Sequence, residues 1–291
     1  MTIPFWGFLF IGLIMLCILI VLIDSNRFVI REYTLESDRL DKDVQFVFLS
    51  DLHNKSFGKD NKKLLKAIED CKPQFIVCGG DMPTANPGAG LDVSVRFMQN
   101  IAAKYRIYYA NGNHEYRMRI YPEKYGDMHE RYDAALKECG IERLINETDE
   151  FDGRIMIHGL ELERKYYKRF HKESPTEAVI RDSFGEPLGG DGKYHILLAH
   201  NPEYFDVYAK TGVDLVLAGH VHGGVARLPF LGGVISPSFR FFPKYDGGLY
   251  QKGSCTMILS RGLGMHTIPI RFFNPAELVK ITIRKKRTDI R

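Results

Sequence analysis

Three polar positions constrain the fold of this 291-residue chain more than any others. Asp51, Asp81 and Asn113 each follow a short apolar run rich in β-formers: VQFVFL over 44–49, QFIVC over 74–78 and RIYYA over 106–110. They lie 30 and 32 residues apart, about the length of one strand–helix–strand unit. Between them, residues 60–71 carry Leu64, Leu65 and Ile68 at helical spacing, with Asp60 as the expected cap. Residues 91–103 do the same with Val93, Phe97 and Ile101 turned inward. A β-α-β-α-β run implies parallel strands and right-handed crossovers. Equal position in successive units brings Asp51, Asp81 and Asn113 to the carboxyl edge of one sheet, where open α/β sheets build their sites.

Further strands are expected at 29–35, 154–157, 195–199, 214–218, 255–259 and 278–283, with a helix at 128–139. Residues 161–191 are polar, basic and Gly-rich and read as a loop or lid; residues 223–253 are rich in Gly, Pro and aromatics. Loops this long are commonly functional. No internal repeat and no second domain boundary is visible.

Five motifs each sit just after an expected strand: Asp51-Leu52-His53, Gly80-Asp81, Gly112-Asn113-His114-Glu115, Ala199-His200-Asn201 and Gly219-His220-Val221-His222. Singly, each has an ordinary reading. An Asp after a strand caps a helix, Gly-Asp makes a turn, and a lone His is a hydrogen-bonded surface residue. His220 and His222 are stronger, because alternate residues of an extended segment share one face. Together the five offer imidazole and carboxylate donors, which suit divalent manganese, iron or zinc. A carboxylate can bridge two such ions. No cysteine joins the set, which argues against a closed structural zinc site. The five cysteines sit singly without CxxC spacing and read as free thiols in a reducing compartment. His129, His158, His171, His195 and His266 lie outside any shared motif and read as surface or packing residues.

The order and form of the motifs resemble the calcineurin-like metallophosphoesterase superfamily, whose pattern runs D-x-H, G-D, G-N-H-[DE], a lone His, then G-H-x-H. All five are present in order across residues 51–222. The resemblance implies an α/β fold, a two-sheet sandwich flanked by helices with a dinuclear site at one edge. It implies that Asp51, His53, Asp81 and His222 bind one metal ion, and Asp81, Asn113, His200 and His220 the other, with Asp81 bridging. Manganese is the expected metal, with iron or zinc fitting the same donors. It places His114 beside the scissile phosphate as the catalytic residue and not as a ligand, stabilising charge or protonating the leaving oxygen. Arg227-Leu228-Pro229-Phe230, Phe242-Pro243-Lys244-Tyr245, Gly248-Leu249-Tyr250 and Ser260-Arg261-Gly262-Leu263-Gly264 extend the likeness to the membrane-anchored bacterial branch. Two positions depart from that pattern: Val225 stands where relatives carry Gln, and Met82-Pro83-Thr84 holds no acidic residue. Neither is an implied ligand, so both bear on substrate choice.

Residues 5–23 are 19 in a row without a charge, about enough for a helix to cross the hydrocarbon core. They lack a polar face, a basic leader and a small-residue cleavage site, so an uncleaved transmembrane helix is expected. The expected organisation is an anchor at 1–26, a stem at 27–43 and a metallophosphoesterase domain at 44–291. Arg27, Arg31, Arg39 and Lys42 follow the apolar stretch and none precedes it, which predicts a cytoplasmic domain. Forty basic against 36 acidic residues give a formal charge of only +4, so no nucleic-acid partner is expected.

The predicted function is hydrolysis of a phosphodiester or pyrophosphate bond in a lipid or sugar-nucleotide lipid at the bilayer. The alternatives are a phosphomonoesterase and a non-catalytic metal-binding scaffold. Basic and aromatic side chains interleave at 164–170 and 239–242, as in segments that lie at a membrane surface. These loops are expected to form a lid over a lipid-linked headgroup. Arg261 and Lys244 are candidates for a further contact to phosphate.

Overall fold

The sheet expected from the three spaced motifs is present. The computed structural model describes residues 5–168, 173–185, 187–228, 230–235, 241–265 and 269–286. In chain order the strands are β1 (Phe28–Ser37), β2 (Val44–Leu49), β3 (Phe75–Cys78), β4 (Ile107–Ala110), β5 (Arg143–Leu144), β6 (Glu147–Phe151) and β7 (Ile155–Leu160). They continue as β8 (Tyr194–Ala199), β9 (Leu215–Ala218), β10 (Arg227–Leu228), β11 (Gly232–Gly233), β12 (Gly248–Lys252), β13 (Cys255–Leu259) and β14 (Ala276–Lys285). Among the described residues these form two six-stranded sheets and one small hairpin, β10–β11.

The first sheet runs β1-β14-β2-β3-β4-β5, with β2, β3, β4 and β5 parallel. The second runs β12-β13-β9-β8-β7-β6, parallel from β13 to β7 with an antiparallel strand at each edge. Alternation along each strand builds the layers. Phe46 and Phe48 face the other sheet and meet Ile157, Ile196 and Leu217 there. Val47 and Leu49 face the opposite way, onto α2 (Lys62–Asp70), α3 (Asp92–Ala102) and, further along the same layer, α6 (Met128–Glu138). The outer face of the second sheet is covered by α7 (Glu177–Asp182) and α8 (Phe205–Tyr208) through Ile180, Phe205 and Tyr208. The result is the expected two-sheet sandwich flanked by helices. Strands buried on both faces read as unbroken apolar runs, which is why β2, β3 and β4 stand out in the sequence.

Local expectations needed two adjustments. Asp60 does not cap α2; it lies in a 3-10 turn at Lys59–Asn61 and accepts a 2.6 Å bond from Arg96. Asn61, in a left-handed conformation, precedes the helix instead. Val93 is turned outward, while Phe97 and Ile101 are buried as expected. The strand expected at 29–35 is present as β1, which pairs in parallel with β14 along its whole length.

Helix α1 (Phe5–Asn26) is apolar all round, and no residue of its central window is buried. Its 22 residues span about 33 Å, long and apolar enough to cross a membrane. Only Arg27 separates it from β1.

Candidate metal centre

The site side chains leave the sheets from loops at the ends of β2, β3, β8 and β9 and from the start of α4 (Asn113–Ile120). Asp51, His53, Asp81, His220 and His222 all have positive φ, between 46° and 74°. That region costs a residue with a Cβ about 1 kcal/mol or more, and such strain clusters at functional sites. Backbone bonds join the first two loops: Asp51 N donates to Gly80 O at 3.0 Å and His53 N to Asp81 O at 3.1 Å. Glu115 joins the second to the third. Its buried carboxylate accepts from Asp81 N, Met82 N and Gly112 N at 2.9–3.0 Å and from Tyr109 Oη at 2.6 Å. Two motif glycines are required by close approach. A Cβ on Gly219 would overlap Asp51 Oδ2, and one on Gly112 would overlap Asp81 Oδ1.

Asp51, Asp81, His53, His114, His200 and His222 are buried, and His220 and Asn113 are half-buried. Donor atoms of Asp51, His53 and His222 all lie within 4.8 Å of one another, as do those of Asp81, His200 and His220. His53 joins the two groups, its Nε2 being 3.9 Å from Asp51 Oδ1 and 3.7 Å from Asp81 Oδ2. His114 N donates to Asp81 Oδ1 at 2.7 Å, which sets the neighbouring Asn113 beside Asp81. The buried Oδ1 of Asn113 finds no hydrogen-bond partner among the described residues.

Hydrogen bonds fix which ring nitrogens face the site. His200 Nδ1 lies 2.7 Å from Gly79 O, a pure acceptor, so Nδ1 carries a proton. In the neutral ring the Nε2 lone pair then points at Asp81 Oδ2, 3.2 Å away. Two acceptors so placed need a cation between them or a proton on the ring. The charge balance makes the same point: burial alone would lower the His200 imidazole, yet the Asp81 and Asp51 carboxylates push it up to about 10. Burial pushes Asp51 up to about 6 against the pull of His200. For Asp81 burial is outweighed by His200, His114 and His53, which hold it well below the usual carboxylate range. This donor set fits divalent cations. His114 is different. Ala85 N–H donates to its Nδ1 at 2.7 Å, so the remaining proton sits on Nε2, 3.9 Å from Asp81 Oδ2. A protonated Nε2 is a donor and not a metal ligand, although the ring lies close enough to His53 and Asp81 to be counted with them.

The sequence profile of the calcineurin-like phosphoesterases matches residues 44–224. The chain belongs to that family. It carries a metal-dependent phosphoesterase domain with a divalent-metal site built from His and Asp. An uncharacterized metallophosphoesterase of Campylobacter jejuni is 29% identical over 265 residues, covering 89% of this chain and 64% of that protein. This chain therefore spans a little under two thirds of that relative's length. Another, from Aquifex aeolicus, is 28% identical over 265 residues, covering 88% of this chain and 92% of the relative. Among solved structures, Haemophilus influenzae NAD nucleotidase superposes with a TM-score of 0.44 at 15% identity, covering 76% of this chain and 45% of that one. That likeness is too remote to bear on activity.

Several side chains in this metallophosphoesterase lie elsewhere than the sequence suggested. Lys244 pairs with Asp206 at 2.8 Å, and Arg261 faces the buried Glu277 at 3.8 Å. Tyr166 is buried, and the half-buried Tyr167 meets the His220 ring edge-on at 5.6 Å. Phe241 and Phe242 are exposed. Arg169, Phe170, His171, Phe239, Arg240 and His266 lie outside the described residues. His158 and His195 are buried packing residues, bonded to each other at 2.9 Å. Glu115 was visible as the last letter of its motif, but its capping role was not. Asn274 gave no signal at all, although its side chain donates to the backbone of His222.

Proposed function

We propose that this metallophosphoesterase hydrolyses a phosphodiester or pyrophosphate bond at a dinuclear centre, in a lipid or lipid-linked substrate held at a membrane. One ion is assigned to Asp51, His53, Asp81 and His222, the other to Asp81, Asn113, His200 and His220. The observation that carries this reading is the meeting of two donor groups around buried Asp51 and Asp81, with Asn113 Oδ1 buried and unpartnered beside them. Divalent ions bound there supply positive charge to the phosphoryl oxygens and make an attacking water more acidic. Manganese is the proposed metal, with iron or zinc fitting the same donors.

The chain's own groups do the rest. The strained loops, tied by Glu115, hold the donors before substrate arrives, so little reorganisation is needed on binding. His114, its Nδ1 occupied by Ala85 N–H, presents Nε2–H as a fixed donor to a phosphoryl or leaving oxygen. A neutral imidazole with that proton gives a hydrogen bond readily and a whole proton poorly. We therefore assign it to charge stabilisation, the first of the two roles considered from sequence. Support for a membrane substrate comes from α1, whose apolar stretch is not buried against the domain, and from exposed Phe241 and Phe242. A cytoplasmic position for the domain is part of this proposal, supported by the basic residues that follow α1. The test is manganese-dependent hydrolysis of a bis-aryl phosphodiester beside an aryl monoester. Faster diester turnover is expected, and monoester turnover alone would replace this reading with a phosphomonoesterase.

A further inference from the structure

We propose that the foot of helix α1 is part of the scaffold of the metal centre: Asp24 and Ser25 position Asn274 and Arg271, which in turn position His222 and the loop over Asp51. The inference rests on the assignment of His222 and Asp51 as ligands.

Asp24 is an anomaly in α1. A carboxylate in the last turn of a helix is disfavoured by the helix dipole, and this one is 3% exposed. It is compensated from outside the helix. Arg27 Nε donates to Asp24 Oδ1 at 2.9 Å, and the backbone N–H of Asn274 donates to Asp24 Oδ2 at 3.1 Å. Ser25 Oγ accepts from Arg271 N at 3.2 Å. Two hydrogen bonds thus join the helix foot to residues about 250 positions away in the chain.

Those two residues face the site. Asn274 is fully buried, and its amide donates to His222 O at 2.7 Å and Gly224 O at 2.5 Å. It therefore closes the turn in which His222 holds a φ of 52°. The buried Arg271 guanidinium donates to the carbonyls of Arg261, Gly262, Gly264 and Asn274 at 2.6–3.2 Å. That fixes the 261–264 loop, whose Leu263 N and Gly264 N donate to Ser50 O and Asp51 O at 3.0 and 2.5 Å. Gly262 also abuts both Asp51 and His222, where a Cβ would stand 2.7 Å from Asp51 Cβ and 3.3 Å from His222 Nδ1. The path from helix to ligand is short: Asn274 alone touches Asp24 through its backbone and His222 through its side chain. The six side-chain bonds that Asn274 and Arg271 donate hold this local geometry, while Asn274 Oδ1 and Arg271 Nε find no hydrogen-bond partner among the described residues, and partners behind metal ligands tune affinity.

The test is manganese titration of the full-length, metal-stripped protein in detergent, counting free ion by electron paramagnetic resonance. Wild type is expected to bind two ions. Asp24→Ala is expected to weaken one of them by about tenfold and leave the other within about twofold. Asn274→Ala should do the same, and the double variant should be no worse than either, because both act on one path. Asp24→Asn, which keeps an acceptor for Asn274 N–H, should bind close to wild type. A lower melting temperature with unchanged binding of both ions would reduce the network to a purely structural one and overturn the inference. Additive losses in the double variant would also overturn it. If Asp24→Ala does not fold, Ser25→Ala carries the test, with a loss of about two- to threefold expected and unchanged affinity counting against the proposal. Wild type that binds no ion would refute the ligand assignment itself, which is a separate result.

Discussion

Asp81 and His114 touch through one hydrogen bond and are expected to fail in different ways. Asp81 is the carboxylate assigned to both ions, so Asp81→Asn removes the shared charge. We expect it to bind less than one manganese ion per chain where wild type binds two, measured by metal analysis after dialysis; retention of two ions would refute the bridging role. His114→Ala should keep both ions and lose kcat by on the order of 10²-fold. Because Ala85 N–H holds Nδ1 as an acceptor, the loss should be equal for nitrophenyl and poor alkyl leaving groups. A loss confined to poor leaving groups would show that His114 transfers a proton. The five motifs that hold the proposed ligands were legible in the sequence because each follows a strand, and the spacing of Asp51, Asp81 and Asn113 follows from one supersecondary unit, while the division of ligands between two ions was implied only by the family resemblance. Glu115 and Asn274 were less legible for a physical reason. They act on backbone groups, and any residue type supplies those, so no pattern of side chains announces the partner.

Among the elements, the strands buried on both faces were legible as apolar runs, and the edge strands of the second sheet were not. β6 reads ETDEF and β12 reads GLYQK, each half-exposed, with the charges that protect sheet edges from further pairing. The adjacent strands β7 and β8 also contain a hydrogen-bonded pair that the sequence left as two unrelated histidines. His158 Nδ1 meets Thr148 Oγ1 at 2.8 Å, its Nε2 meets His195 Nδ1 at 2.9 Å, and His195 Nε2 meets Asp191 Oδ1 at 2.7 Å. The Phe184 ring packs edge-on against His158. Burial, with the neighbouring His195 adding to it, lowers the His158 imidazole to about 3 from an ordinary 6.5. The sign follows from proton counting. Between about pH 6.5 and 3 the unfolded chain holds a proton at this position that the folded chain does not, so stability falls as pH falls through that window. The slope is at most about 1.4 kcal/mol per pH unit for one proton. We expect the melting temperature of the metal-free protein to drop between pH 7 and pH 5, and to drop less in His158→Gln, which keeps hydrogen-bonding groups but cannot titrate. Parallel melting curves for the two proteins across that range would assign the pH dependence elsewhere.

For the whole molecule, the question is where the centre lies relative to a bilayer. The sequence suggested a stem at 27–43 between anchor and domain, with a strand at 29–35 inside it. In the fold only Arg27 intervenes, because β1 is pulled into the first sheet by its pairing with β14. That pairing joins segments nearly 250 residues apart, and no local pattern encodes it. Lys55, two residues beyond His53, also reaches the helix foot, its Nζ donating to Asn26 Oδ1 at 3.1 Å. Since Asn274 alone bridges Asp24 and His222, the gap from helix end to ligand backbone is on the order of 10 Å. The headgroup layer beyond each face of the hydrocarbon core is roughly 5–8 Å deep. If α1 spans the bilayer, the centre therefore opens close to the headgroups, where a lipid phosphodiester is concentrated and a soluble one is not. Two deletions separate tether from scaffold. Removing residues 1–21 keeps Asp24, Ser25 and Asn26 and deletes only the apolar length of the helix. We expect it to leave turnover of a soluble phosphodiester near wild type and to cut turnover of a vesicle-borne one by roughly tenfold or more, through lost effective concentration. Removing residues 1–25 should lower both, because the contacts to Asn274 and Arg271 go with it. Vesicle turnover that survives the shorter deletion would show that the substrate does not lie in the membrane. Equal soluble turnover by the two deletions would show that the helix foot is a tether and nothing more.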